Sequence, residues 1–263
     1  MGQTNRNSKN GCATRLNYKK VKYPQTLLLK VHYETSVPTV RDRVVQAALR
    51  AVLEPIFERD FAAHSYGFRP NRGCKDALRR VDALLQAGYN WVVDADLKSH
   101  FGTIPQAALM ERVREEVADG RALGLLEAFL TQKVMETAEG WTPEEGTPQR
   151  AVISPLLSNI YLDPLDHRME ARGAGMVRYA DDFVILCRSE AEARPTLERV
   201  QGWTAETGLR LHPDKTRIVD ATQRGGFDFL GYHFERGCPP CDRRLHLGYR
   251  SSIGGEGIPQ PLL

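Results

Sequence analysis

The stretch "VRYADDFVIL" (177–186) constrains this chain more than any other. Two adjacent carboxylates, Asp181 and Asp182, separate apolar runs that read as strands over 176–180 and 183–188. Strand-forming runs joined by so short a polar step predict a tight hairpin with both charges at its tip. Asp is common in turns, so the pair can simply cap a surface turn. Two features argue for chemistry instead: the strength of the flanking strands, and a second strand, "YNWVVDADL" (89–97), ending in Asp94 and Asp96. Laid beside the hairpin, that strand brings a third carboxylate to the same edge. Carboxylates about 4 Å apart repel strongly at a low effective dielectric. Divalent cations relieve the repulsion, and Mg²⁺ takes a few carboxylate oxygens plus water and substrate phosphates. Two such ions about 3.5–4 Å apart clamp the attacking and leaving oxygens of a phosphoryl transfer. The matching reaction is attack of a 3′-hydroxyl on a nucleoside triphosphate.

Around these strands the pattern is helical. Val44, Val45, Ala48, Leu49, Val52, Leu53, Ile56 and Phe57 recur at helical spacing, with Pro55 expected to kink or end the helix. "SYGFRPNRG" (65–73) reads as a loop before a helix carrying Ala77, Leu78, Val81, Leu84 and Leu85. Helices are expected at 105–118 and 122–135, and one from Ser154 (N-cap) and Pro155 to Arg172. A helix over 190–207 closes at Gly208, and strands follow at 216–220 and 226–234. Residues 1–38 show no sustained period. The order predicts an α+β fold, an antiparallel sheet backed by helices on one face.

The chain has 263 residues, enough to bury a core, and 41% are hydrophobic. No apolar run approaches the roughly 20 residues that span a bilayer, and the N-terminus lacks a secretory h-region, so the expectation is a cytoplasmic protein without membrane contact. Five cysteines, an odd number without framework spacing, suit reduced thiols. Cys238 and Cys241 form a lone C-x-x-C that would need two more ligands, with His233 and His246 nearby, to hold zinc; idle thiols are the simpler reading. Net charge is +3, yet Arg6, Lys9, Arg15, Lys19, Lys20, Lys22 and Lys30 stand in residues 1–33 without one acid. Such an arm suits a polyanion such as RNA, or is a solvated tail.

These motifs together resemble one family, in order along the chain. "RYADDFVIL" resembles the tyrosine-x-aspartate-aspartate motif of reverse transcriptases of the group II intron and retron type. "PTVRDRVVQAALRAVLEPIFERDFAAHSYGFRPNRG" resembles the fingers-to-palm segment, and "VVDADLKSHFGTIP" the first catalytic strand. "GTPQRAVISPLLSNIYLDPLD" resembles the nucleotide-contacting loop and helix; "LHPDKTRIV" and "FDFLGYHF" resemble the end of the palm. The resemblance implies a right-hand palm with partial fingers over 38–234, an arm or incomplete fingers at 1–37 and an irregular tail at 235–263. It implies an RNA-directed DNA polymerase using two Mg²⁺ ions, an RNA template, a DNA or RNA primer, dNTPs and possibly an intron RNA. Asp96, Asp181 and Asp182 match the catalytic, metal-holding triad, and Lys215 the lysine that protonates departing pyrophosphate. Phe101, Gln149 and Tyr179 match nucleotide or template contacts, while Arg69 and Arg72 match positions along the nucleic-acid path.

The chain departs from the family pattern in three places. Its loop reads "GTPQRA", placing Arg150 and Ala151 where relatives carry glycines that admit template and base. His100 and Gly102 replace an aromatic residue and an Asp. The basic fingers hairpin is reduced to Lys30 and His32, and no helical thumb is recognisable after Phe234. The alternative function is therefore a truncated palm that at most binds RNA. A nucleotidyl cyclase palm would account for the aspartates but not for "YGFRP" or "SPLLSNIYLDPLD".

Overall fold

The computed structural model describes residues 16–20, 38–131, 146–147, 151–223 and 225–236. Lys30, His32, Gln149, Arg150, Cys238, Cys241 and His246 lie outside them. Four strands form the central antiparallel sheet in the order β3 (Gly175–Tyr179), β4 (Asp182–Cys187), β2 (Trp91–Asp96) and β5 (Arg217–Asp220). The hairpin and the strand ending in Asp96 therefore stand where the sequence pattern puts them.

Helices cover one face, but the other face is not open. In β4 every residue after Asp182 is buried, the signature of a strand covered on both sides rather than an alternating one. Val93, Ala95, Phe183 and Ile185 join one cluster with α1 (Val40–Glu58), α4 (Gln106–Glu116), α5 (Gly120–Leu130), α6 (Ser154–Glu170) and α7 (Glu190–Glu206). Val92, Val177, Val184 and Leu186 pack instead against α2 (Cys74–Gln86) and a small sheet of β6 (Phe227–Phe229) and β7 (Tyr232–Arg236). The expectation of helices on one face alone is corrected accordingly.

Other local expectations are revised too. Residues 16–20 form β1 (Leu16–Lys20), which pairs antiparallel with β7, a partner more than 200 positions away that no local pattern reveals. The run 226–234 is a hairpin rather than one strand, because Leu230 (φ 51°) and Gly231 (φ 76°) turn the chain back. α1 continues past Pro55 to Glu58, and it buries Gln46, Leu49, Leu53 and Phe57 while Val44 and Val52 stay exposed. Its start is a capping box: the Thr39 hydroxyl accepts from the Asp42 N–H at 3.2 Å and the Asp42 carboxylate from the Thr39 N–H at 3.3 Å. In α6 the N-cap is Ile153, with Ser154 already helical. α6 is buried almost all round, so its polar residues Ser158, Asn159 and Asp166 must find partners inside the protein.

Candidate active site

Strand register decides where the carboxylates meet. Asp96 lies directly opposite Asp182 across β2 and β4, and Tyr179 opposite Asp182 across β3 and β4. Directly opposed residues of an antiparallel pair have Cβ atoms about 4.5–5.5 Å apart. Asp94 lies two residues back on the same face. Only Ala180 and Asp181 separate the two strands, and Ala180 has φ 60°, a left-handed conformation for a residue with a Cβ. Asp96, Asp181 and Asp182 thus share one sheet edge.

The electrostatics agree with that placement. Burial, then Asp181 and Asp96, push the Asp182 carboxyl up to about 6, with Lys215 opposing them. Burial also raises Asp181, as does Asp96, against the pull of Arg178 and Lys215. Asp94 is raised, mainly by burial, although Arg217 donates to it at 3.2 Å. Lys215 reaches across from the loop before β5 and pairs with Asp96 at 2.5 Å. That loop is tied to the strand end by the His212 N–H donating to the Asp96 carbonyl at 2.8 Å.

Among the described residues no three His, Cys, Asp or Glu side chains enclose a metal-sized space. The donor set nevertheless fits a hard cation: these are carboxylate oxygens, two of which, on Asp181 and Asp182, are pushed toward protonation by burial and then by neighbouring carboxylates, and Mg²⁺ is ordinarily held by one or two carboxylates plus substrate phosphates, not by a closed protein cage.

Phe101 stands at the start of the short helix α3 (His100–Thr103), beyond the end of β2, with its ring edge-on to His100 at 5.4 Å. The Thr147 N–H donates to its carbonyl at 2.6 Å, which docks the described part of "GTPQ" beside it. His100 is buried and shares a 2.8 Å hydrogen bond with Ser158; burial, helped by Arg178, pushes it down to about 3, so it is neutral. A Cβ on Gly102 would meet nothing within 4 Å, so this departure leaves open space there. Ala151 is interior, at 4% exposure, and the next N–H donates to Gln46 at 2.9 Å. It does not project toward a ligand as the sequence suggested.

The expectation for Arg69 also needs correction. Arg69 is buried; it grips Glu58 at 2.8 Å and donates to the carbonyls of Ala62 (2.6 Å) and Ser65 (3.0 Å). Its donors are committed to the end of α1 and the segment that follows it, and do not line a nucleic-acid path. Arg72 is half-buried, donating to the Ala63 and Ser65 carbonyls and lying 5.8 Å from the Tyr66 ring centroid. Its Nη1 thus holds the segment that leads into the loop. The residues missed from the sequence are Arg178, Asn159, Asp163 and Asp166. The last three recur at i, i+4 and i+7 in α6, a polar stripe that helical spacing makes visible.

With this geometry in place, known proteins provide the family. A profile described as reverse transcriptase (RNA-dependent DNA polymerase) matches residues 22–234. The chain belongs to that family. It is similar to protein YkfC of Escherichia coli, 33% identical over 76% of this chain and 62% of the relative. It is also similar to the group II intron-encoded protein LtrA of Lactococcus lactis, 36% identical over 49% of this chain and 22% of LtrA. Similarity extends to nuclear intron maturase 2 of Arabidopsis thaliana, 29% identical over 77% of this chain and 32% of the maturase. The chain therefore spans less than two thirds of each relative. A telomerase structure from Candida tropicalis shares the fold, with a TM-score of 0.53 at 13% identity over 73% of this chain and 37% of the telomerase. Among the described residues no helix is long and apolar enough to cross a membrane.

Proposed function

We propose that this chain is an RNA-directed DNA polymerase of the group II intron type, extending a primer 3′-hydroxyl with dNTPs on an RNA template. The observation that carries the reading is the strand register that sets Asp96 opposite Asp182, with Asp181 in the turn beside them. Asp96, Asp181 and Asp182 would hold two Mg²⁺ ions, which when bound supply charge neutralisation of the triphosphate and activation of the hydroxyl. Lys215, already paired with Asp96, has its ammonium at the carboxylate edge, where it can give a proton to departing pyrophosphate. Tyr179, the last residue of β3, lies on the carboxylate face, and Phe101 presents a ring and a fixed carbonyl near the strand end, suited to the sugar and base of the incoming nucleotide. Gln149, which lies outside the described residues, keeps the role its match implies, a nucleotide or template contact. An intron RNA is the partner that the similarity to LtrA suggests.

Primer extension on an RNA template, with and without Mg²⁺, tests the reading, with Asp181→Ala as the control. The expected outcome is Mg²⁺-dependent extension by the parent and at least a hundredfold less by the variant, the order of effect of removing a principal charge-stabilising group. Equal extension by both proteins would overturn it.

A further inference from the structure

The largest fully buried side chain in the described structure is a charged one, Arg178, in the strand leading into the catalytic turn. Its Nε donates to both Asp166 oxygens at 2.9 Å, and its Nη2 to one of them at 2.6 Å. The remaining arm, Nη1, donates to the Asn159 side-chain carbonyl at 2.8 Å and to the Ala180 backbone carbonyl at 2.9 Å. A buried ion pair is seldom the most stable filling for a core, since apolar residues of similar size often do as well. What an apolar residue cannot supply is the donor to Ala180. That carbonyl belongs to the peptide joining Ala180 to Asp181, and Ala180 is the residue held at φ 60°.

The opposite side of the turn is held by backbone. A Cβ on Gly67 would lie 2.1 Å from the Ala180 nitrogen, so this loop passes the turn as closely as two chains can. Asn159 ties the two sides together by donating to the Gly67 carbonyl at 2.9 Å. The loop also pairs with β3, the Tyr66 N–H donating to the Arg178 carbonyl at 2.9 Å and the Arg178 N–H to the His64 carbonyl at 3.1 Å. Strained backbone persists where its surroundings over-determine it. The geometry points to Arg178 as a positioning residue: with Asp166, Asn159 and Gly67 it forms a buried brace that fixes the Ala180–Asp181 peptide and so aims the carboxylates of Asp181 and Asp182. Arg178 has no solvent exposure and acts only through the turn. The inference rests on the polymerase reading for the meaning of that aim, but the brace itself is a property of the fold.

The test uses the full chain as Arg178→Lys, which keeps a charge for Asp166 but lacks the second arm, and as Asn159→Ala, which keeps the ion pair and cuts the link to Gly67. Amide hydrogen exchange by mass spectrometry, thermal melting and steady-state nucleotide incorporation are measured on each. Expected is exchange about tenfold faster in peptides covering 179–183, the scale of one lost hydrogen bond to a charged donor, with α7 peptides unchanged. In incorporation, kcat should fall about tenfold while the nucleotide KM stays within about twofold. Unchanged exchange at 179–183, equal loosening across the sheet, or local loosening with kcat intact would each overturn the brace. If Arg178→Lys does not fold, Asn159→Ala carries the same readings. A parent chain that incorporates nothing defeats the polymerase reading, and exchange then still decides whether the brace exists.

Discussion

Replacing Asp182 by Asn should stabilise the metal-free protein at high pH and leave it unchanged at low pH. Burial and the neighbouring carboxylates raise Asp182 from 3.8 in the unfolded chain to about 6 in the fold. A raised acid favours folding while it is protonated, so its contribution is full below about pH 4 and is lost as pH rises through about 6. For a fully desolvated group that gap would be worth about 3 kcal/mol. Asp182 is enclosed on one side by its neighbours but keeps access to solvent at the hairpin tip, and screening reduces the figure to on the order of 1 kcal/mol. For a domain of this size, that corresponds to roughly 2–4 °C in melting temperature. The assay is thermal unfolding in EDTA at low salt, at pH 4, 5, 6, 7 and 8, for parent and Asp182→Asn. The difference should open between about pH 4 and 6 and stay level above that, and it should shrink at about 1 M salt, where the Debye length falls to about 3 Å. Adding Mg²⁺ should raise the parent more than the variant, because the ion answers the same repulsion. A variant no more stable than the parent at pH 8 in EDTA, or a difference independent of pH, would show that the three carboxylates do not burden one another.

Two further outcomes test the frame around the turn. Gly67→Ala must push apart two backbones that approach to 2.1 Å of the new Cβ; overpacking of this kind costs about 1–3 kcal/mol in urea unfolding, and nucleotide incorporation should fall further than the folded fraction does. Arg69→Met strips a buried partner from Glu58 and a donor from the Ala62 and Ser65 carbonyls, so stability should drop by about 2–4 kcal/mol, while the salt dependence of RNA binding stays the same because no phosphate contact is lost.

The carboxylate edge was legible because its signals are local. Strand runs flank Asp181 and Asp182, a strand ends at Asp96, and a two-residue turn leaves only one register in which they meet. The scaffold behind it was legible only in part, and each miss has a non-local cause. β1 needs β7, a partner at the far end of the described chain. The face of α1 is set by Gln46, whose side-chain carbonyl accepts from the Val152 N–H, and a polar anchor there defeats a count of valines. Arg69 stands in a loop where family resemblance suggests nucleic acid, yet Glu58 and the Ala62 and Ser65 carbonyls take up its donors. Arg178 is the sharpest case. Between Val177 and Tyr179 it looks like a solvent-facing strand residue, and only the stripe of Asn159, Asp163 and Asp166 in α6 reveals that an interior charge is expected. Read together, Asn159, Asp166 and the arginine are one signal: buried polar groups on a helix demand a donor, and the strand entering the Asp181 turn supplies it, whereas Asp163 takes its donor from the Ala62 N–H. The same pairing couples the turn at Asp181 to the core of the fold, so on the polymerase reading substitutions that cut the Asn159 link should lower turnover by more than the folded fraction falls.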